Sequence, residues 1–117
     1  MSAGVIKCRK GDPCRFTVRV RGGIGVQYTR ARFQARAAWD ESLPALLHVD
    51  QDSGVQIDHG AGAVTILIGA TLTDALPILR QPIEVAAQLR LYNPTDADDR
   101  VSFPIPFRLL PDAIADG

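Results

Sequence analysis

Cys14-Arg15-Phe16-Thr17-Val18-Arg19-Val20-Arg21 alternates apolar and polar residues without a break. Phe16, Val18 and Val20 share one parity; Arg15, Thr17, Arg19 and Arg21 share the other. Successive strand side chains point to opposite faces, so the stretch predicts a half-buried β-strand with a cationic outer face. Gly22, Gly23 and Gly25 end it. The next run repeats the scheme, with Ala31, Phe33, Ala35, Ala37 and Trp39 alternating with Arg30, Arg32, Gln34 and Arg36. Alanine favours helix, but at about 100° per residue the arginines at 30, 32 and 36 would scatter around a helix, whereas a strand lines them up. A strand is therefore expected over residues 30–39.

The same period recurs downstream. A short apolar segment at 46–48 follows Pro44, Val55 and Ile57 alternate with Gln56 and Asp58, and Val64, Ile66 and Ile68 flank Thr65 and Leu67. The connectors Asp52-Ser53-Gly54 and His59-Gly60-Ala61-Gly62 read as hairpin turns. Ala70-Thr71-Leu72-Thr73-Asp74-Ala75-Leu76, stopped by Pro77, is the one plausible helical turn. Ile83, Val85, Ala87, Leu89 and Leu91 mark a further strand, ended by a turn over residues 93–99. In the last strand Val101, Phe103, Ile105, Phe107 and Leu109 oppose Ser102, Pro104, Pro106 and Arg108. Pro104 and Pro106 remove two N–H donors from one edge, which places this strand at a sheet boundary and guards it against edge-to-edge aggregation. The pattern predicts an all-β chain: a single antiparallel β-sandwich of about seven short strands, with one helical turn near 70–76. A small barrel is the alternative. One domain is expected over residues 1–117, with its core in 5–110 and a short tail at 111–117.

A net charge of zero hides a strong division: residues 1–36 carry a formal +8 and the remaining 81 residues −8. Like charges facing one another on a sheet are destabilising, so the outward arginines 15, 19, 21, 30, 32 and 36 are read as a partner-binding face. They can meet acids of the second half such as Asp50, Asp52 and Asp58, an acidic surface on a neighbouring subunit, or nucleic-acid phosphates. Nucleic acid ranks below the other two, because the chain is not basic overall and no stacking aromatics interleave the arginines on their own face. There is no 18-residue apolar run to cross a membrane and no amino-terminal secretory pattern, so synthesis in a reducing cytoplasm is expected. Cys8 and Cys14 bracket the turn-like run Arg9-Lys10-Gly11-Asp12-Pro13. A disulfide across that turn is possible if the flanking strands pair; buried free thiols are the preferred reading in a cytoplasmic product.

Chemistry-bearing motifs are sparse. The Asp50-Gln51-Asp52-Ser53-Gly54 fragment has neither the length nor the terminal Glu of a calcium loop, and Asp96-Ala97-Asp98-Asp99 reads as a solvated turn. His48 and His59 lie near carboxylates, yet no nucleophile elbow, phosphate-binding loop or His-Glu-x-x-His accompanies them. Neither catalysis, nor a metal, nor another cofactor, nor a small-molecule substrate is expected.

Taken in order, Lys10-Gly11-Asp12 before an alternating strand, Ala31-Arg32-Phe33-Gln34-Ala35-Arg36, Gly62-Ala63-Val64-Thr65-Ile66-Leu67-Ile68, the 70–76 segment and Gln88-Leu89-Arg90-Leu91 resemble immunoglobulin-like β-sandwich modules in tail and baseplate proteins of tailed bacteriophages. The likeness is to the amino-terminal domain of baseplate upper proteins and covers roughly residues 10–110 in order and spacing. The chain departs from that pattern at Leu79-Arg80-Gln81-Pro82-Ile83, where the family places glycine and aromatic residues, and in its proline-rich last strand. The resemblance implies a structural, non-catalytic virion protein of the tail or baseplate, made in the host cytoplasm, with other virion proteins or copies of itself as partners. A capsid-decorating role is the alternative within that class. A nucleic-acid-associated accessory protein, and behind it a small ligand-binding sandwich, are the readings from other classes.

Overall fold

Each long period-two stretch forms a strand in the computed structural model, which describes residues 5–40 and 42–112. The order is β1 (Ile6–Arg9), β2 (Cys14–Arg19), β3 (Arg30–Arg36), β4 (Leu47–Asp50), β5 (Val55–Asp58), β6 (Ala63–Ile68), α1 (Ala70–Asp74), β7 (Ile83–Asn93) and β8 (Asp96–Leu110). The strands build a five-stranded sheet, β1-β8-β7-β3-β4, and a three-stranded sheet, β2-β6-β5.

The two sheets meet through an aromatic triad. Phe16 of β2 stands edge-on to Phe33 of β3 with ring centroids 5.4 Å apart, and Phe107 of β8 lies 5.3 Å from Phe33 and 5.8 Å from Phe16. Aromatic pairs at such separations contribute about 0.5–1.5 kcal/mol each beyond their area burial. Ile66 and Ile68 from one sheet, and Val49, Leu89, Leu91 and Leu109 from the other, complete the buried layer.

Several expectations change, and the turn expected over residues 93–99 shrinks to Pro94 and Thr95, since β7 runs to Asn93 and β8 already begins at Asp96. The architecture is mixed, not purely antiparallel, because β1 runs parallel to the carboxy-terminal end of β8, Ile6 opposite Phe107 and Arg9 opposite Leu110. Four residues are too short a run to register as an alternating strand, and β2 turns away into the other sheet. Secondly, residues 51–54 are no hairpin: β4 and β5 belong to different sheets, so the connector crosses the sandwich. Gly54 makes that crossing possible. Its φ is +145°, and a Cβ there would lie 2.2 Å from the Leu67 carbonyl oxygen. The connector at 59–62 does close a hairpin, joining antiparallel β5 and β6.

Thirdly, β3 stops at Arg36 and not at residue 39. The Asp40 N–H donates to Ala38 O (2.8 Å) and that of Leu43 to Asp40 O (3.0 Å), so the chain bends where the alternation would continue. Trp39 is thereby moved from an expected core position to 68% exposure. Finally, β8 is not a boundary strand throughout its length. It pairs with β7 along one side, while β1 covers the other side only over Phe107–Leu110. Pro104 and Pro106 are exposed and lie just before that ladder. The expected helical turn is the five-residue α1, and beyond Asp112 the expected tail lies outside the described residues.

Phe33 is fully buried at the triad's centre, so Phe33→Ala should cost about 3–5 kcal/mol, while the exposed Pro104→Thr should cost under ~0.5 kcal/mol. Gly54→Ala should destabilise by about 1–3 kcal/mol from its backbone conformation alone. Urea denaturation of the three variants measures this, and a near-neutral Gly54→Ala would contradict the crossing geometry.

Candidate functional site

Strand parity turns Arg30, Arg32, Gln34 and Arg36 outward from β3, and the register sets Arg32 opposite Arg90 and Gln34 opposite Gln88 on β7. With Ala86, these groups other than Arg30 line an open depression of about 430 Å³ on the outer face of the five-stranded sheet, walled by Ala38, Trp39 and Asp40. Trp39 also borders a neighbouring, more apolar depression of about 300 Å³ with Val5, Pro104 and Pro106.

Arg32 and Arg36 are held in place by uncharged partners. Arg36 donates from Nε to Leu43 O (3.0 Å) and from Nη1 to Gln34 Oε1 (2.9 Å), and Gln34 Nε2 is 2.8 Å from His48 Nδ1. Arg32 lies over the Tyr92 ring, 5.1 Å from its centroid. Arg90 donates from Nε to Ser102 Oγ at 3.1 Å. The contacts of Arg32 and Arg36 orient these two cations without neutralising them. Among the described residues, Asp40 is the one carboxylate in the lining. The Ser42 hydroxyl and then the Ser42 N–H donate to it (2.7 and 2.9 Å), which holds its pKa below the ordinary carboxylate value.

The six arginines expected to share one face do not all come together. Arg15 and Arg19 lie on β2, facing outward from the three-stranded sheet, while Arg30, Arg32 and Arg36 lie on the opposite outer surface. Arg21 follows β2 in an exposed turn. Among the described residues, the one ion pair made by these six is Arg30 with Asp52, at 3.4 Å; the Tyr92 hydroxyl and then Asp52 favour the charged form of Arg30. Asp50 and Asp58 are occupied by their own turns, accepting from Asp52 N (2.9 Å) and Ala61 N (3.1 Å).

Sequence reasoning missed Arg90, Trp39 and Gln88 as members of this site. Outward parity in β7 carried the signal for Arg90 and Gln88, but only the β3–β7 pairing puts them beside Arg32 and Gln34. The expectation that no aromatics accompany the arginines is also corrected, since Trp39 and Tyr92 both do. Of the two histidines expected near carboxylates, His48 meets Gln34 and lies 3.9 Å from the Asp50 carboxylate, while His59 lies 2.9 Å from Tyr28 O. No group of three or more metal-ligating side chains occurs among the described residues.

Compared with known proteins, the chain matches no family model and no curated protein.

Trp39 is the sole tryptophan, so its fluorescence should be that of a water-exposed indole and be quenched by acrylamide nearly as well in native as in denatured protein. Because the folded pKa of Asp40 lies below its unfolded value, the Asp40–Ser42 turn is stabilised above about pH 4 and loosens as pH falls through and below that. The Trp39 signal should shift in that window, and Asp40→Asn should abolish the shift. A shift retained in the variant would assign it to another group.

Proposed function

We propose that this chain is a non-catalytic assembly module that docks acidic protein surfaces through the outer face of its five-stranded sheet. The observation that carries the reading is the convergence of Arg32, Arg36 and Arg90 beside exposed Trp39. Arginine and tryptophan are the residue types most enriched at binding hot spots, and a guanidinium fork matches a carboxylate in a way that fixes register. Arg15 and Arg19 present a second cationic surface on the opposite side. A subunit with charged surfaces on both sides suits a repeating assembly, in which each copy touches neighbours in two directions.

Together with the sequence resemblance, this supports an immunoglobulin-like sandwich that serves as a structural subunit of a tailed-phage particle, in its tail or baseplate. Capsid decoration is the alternative location. The nucleic-acid reading gains one specific observation, the two aromatics beside the arginines, which is the combination that single strands use for stacking and phosphate contact. The formal net charge of zero weighs against it.

Sedimentation of the protein alone and with other particle proteins, beside gel-shift titration with single strands and duplex, decides between these readings. The docking reading expects protein association that weakens as salt rises. It also expects Arg32→Glu with Arg90→Glu to weaken binding by about tenfold or more while leaving the fold intact. Retarded nucleic acid without protein association would overturn it.

A further inference from the structure

The chain contains two cysteines, and the fold brings them together. Both are free and inward-facing, Cys8 at 1% exposure on β1 and Cys14 at 8% on β2. These strands belong to different sheets, so the pair lies across the sandwich and not along a hairpin. The link between them is short and firmly held. Asp12 N donates to Arg9 O (3.1 Å), the buried Thr73 hydroxyl donates to Asp12 O (2.8 Å), and Lys10 Nζ donates to Asp74 O. The Cys14 thiol is 3.6 Å from the carbonyl oxygen of Lys7, the residue before Cys8. The neighbouring Cys14 side chain, and then burial, raise the Cys8 pKa, while Cys8 lowers that of Cys14.

We propose that Cys8 and Cys14 are an oxidisable pair whose disulfide ties the five-stranded sheet to the three-stranded sheet at the start of the chain. A buried thiol usually serves as a small apolar side chain. Here the only two thiols of the chain belong to one buried core cluster, on strands of different sheets joined by a four-residue link. The edge strand β1 pairs with β8 over four residues, so local opening there admits an oxidant.

The oxidant is a low-molecular-weight disulfide. The Cys14 thiolate attacks one of its sulfurs, forming a mixed disulfide and expelling one thiolate. Cys8, after losing its proton to solvent, attacks the Cys14 sulfur and expels the second. Two protein thiols are oxidised to one disulfide, and the oxidant is reduced to two thiols. A chain made in a reducing compartment and later exposed to an oxidising one would gain the staple after folding. This inference is independent of the docking face.

The test equilibrates the full chain with oxidised glutathione, both folded and by oxidation in urea followed by return to native buffer. The expected product is a monomer lighter by about 2 Da, with peptides containing Cys8 and Cys14 linked, and a melting temperature higher by about 5–10 °C than the reduced form. Cys8→Ala should abolish both changes. Persistent glutathione adducts, intermolecular dimers, thiols still free after both routes, or a linked form that melts lower than the reduced one would each overturn the proposal.

Discussion

The contact of Phe16 with Phe33 and Phe107 is what makes two separate ladders one body. Phe16 comes from the small sheet and the other two rings from the large one, all within 5.8 Å centroid to centroid. Among the described residues, no backbone hydrogen bonding in the strand ladders joins the three-stranded sheet to the five-stranded one. Their union therefore rests largely on side chains whose burial is driven by water exclusion and close packing. Everything with chemical character is positioned by that union. Phe33 facing inward obliges Arg32 and Gln34 to face outward, and Phe16 facing inward does the same for Arg15 and Thr17.

The consequence for charge is a division in space of what is continuous along the chain. Two neighbouring arginine-bearing strands could have formed one hairpin and one cationic face. Instead β2 pairs with β6 and β3 with β4 and β7, so each cationic row sits on its own surface and mutual repulsion is lowered. On the larger surface Arg32 reaches over the Tyr92 ring of β7, and Gln34 joins Arg36 to His48 of β4. The bend at residues 37–40 then adds Trp39 to the edge. A face of this kind is open, which suits the docking role proposed for it.

The strand segments, their inward and outward residues and the helical turn were legible because a strand has a period of two and the core accepts only one parity. That reading placed Phe16, Phe33, Leu89 and Phe107 inside and Arg15, Arg32 and Arg36 outward. It failed at Trp39, where alternation continued on paper but hydrogen bonds around Asp40 bent the backbone. It also failed at β1, which is too short for periodicity to be visible and is stabilised by a partner almost at the other end of the chain.

The amino-acid sequence by itself determined the β-rich class, the faces of the long strands and the segregation of charge along the chain, since these depend on local alternation and composition. Tertiary structure alone decided which strands share a sheet, that residues 51–54 cross the sandwich, that β1 lies parallel to β8, and that Arg90 and Trp39 join Arg32 and Arg36. It also decided that Cys8 and Cys14 lie on strands of different sheets and not within a hairpin. Those outcomes turn on contacts between residues distant in sequence or on opposite sheets, where many pairings satisfy the same local pattern and only the packing of the whole core selects among them.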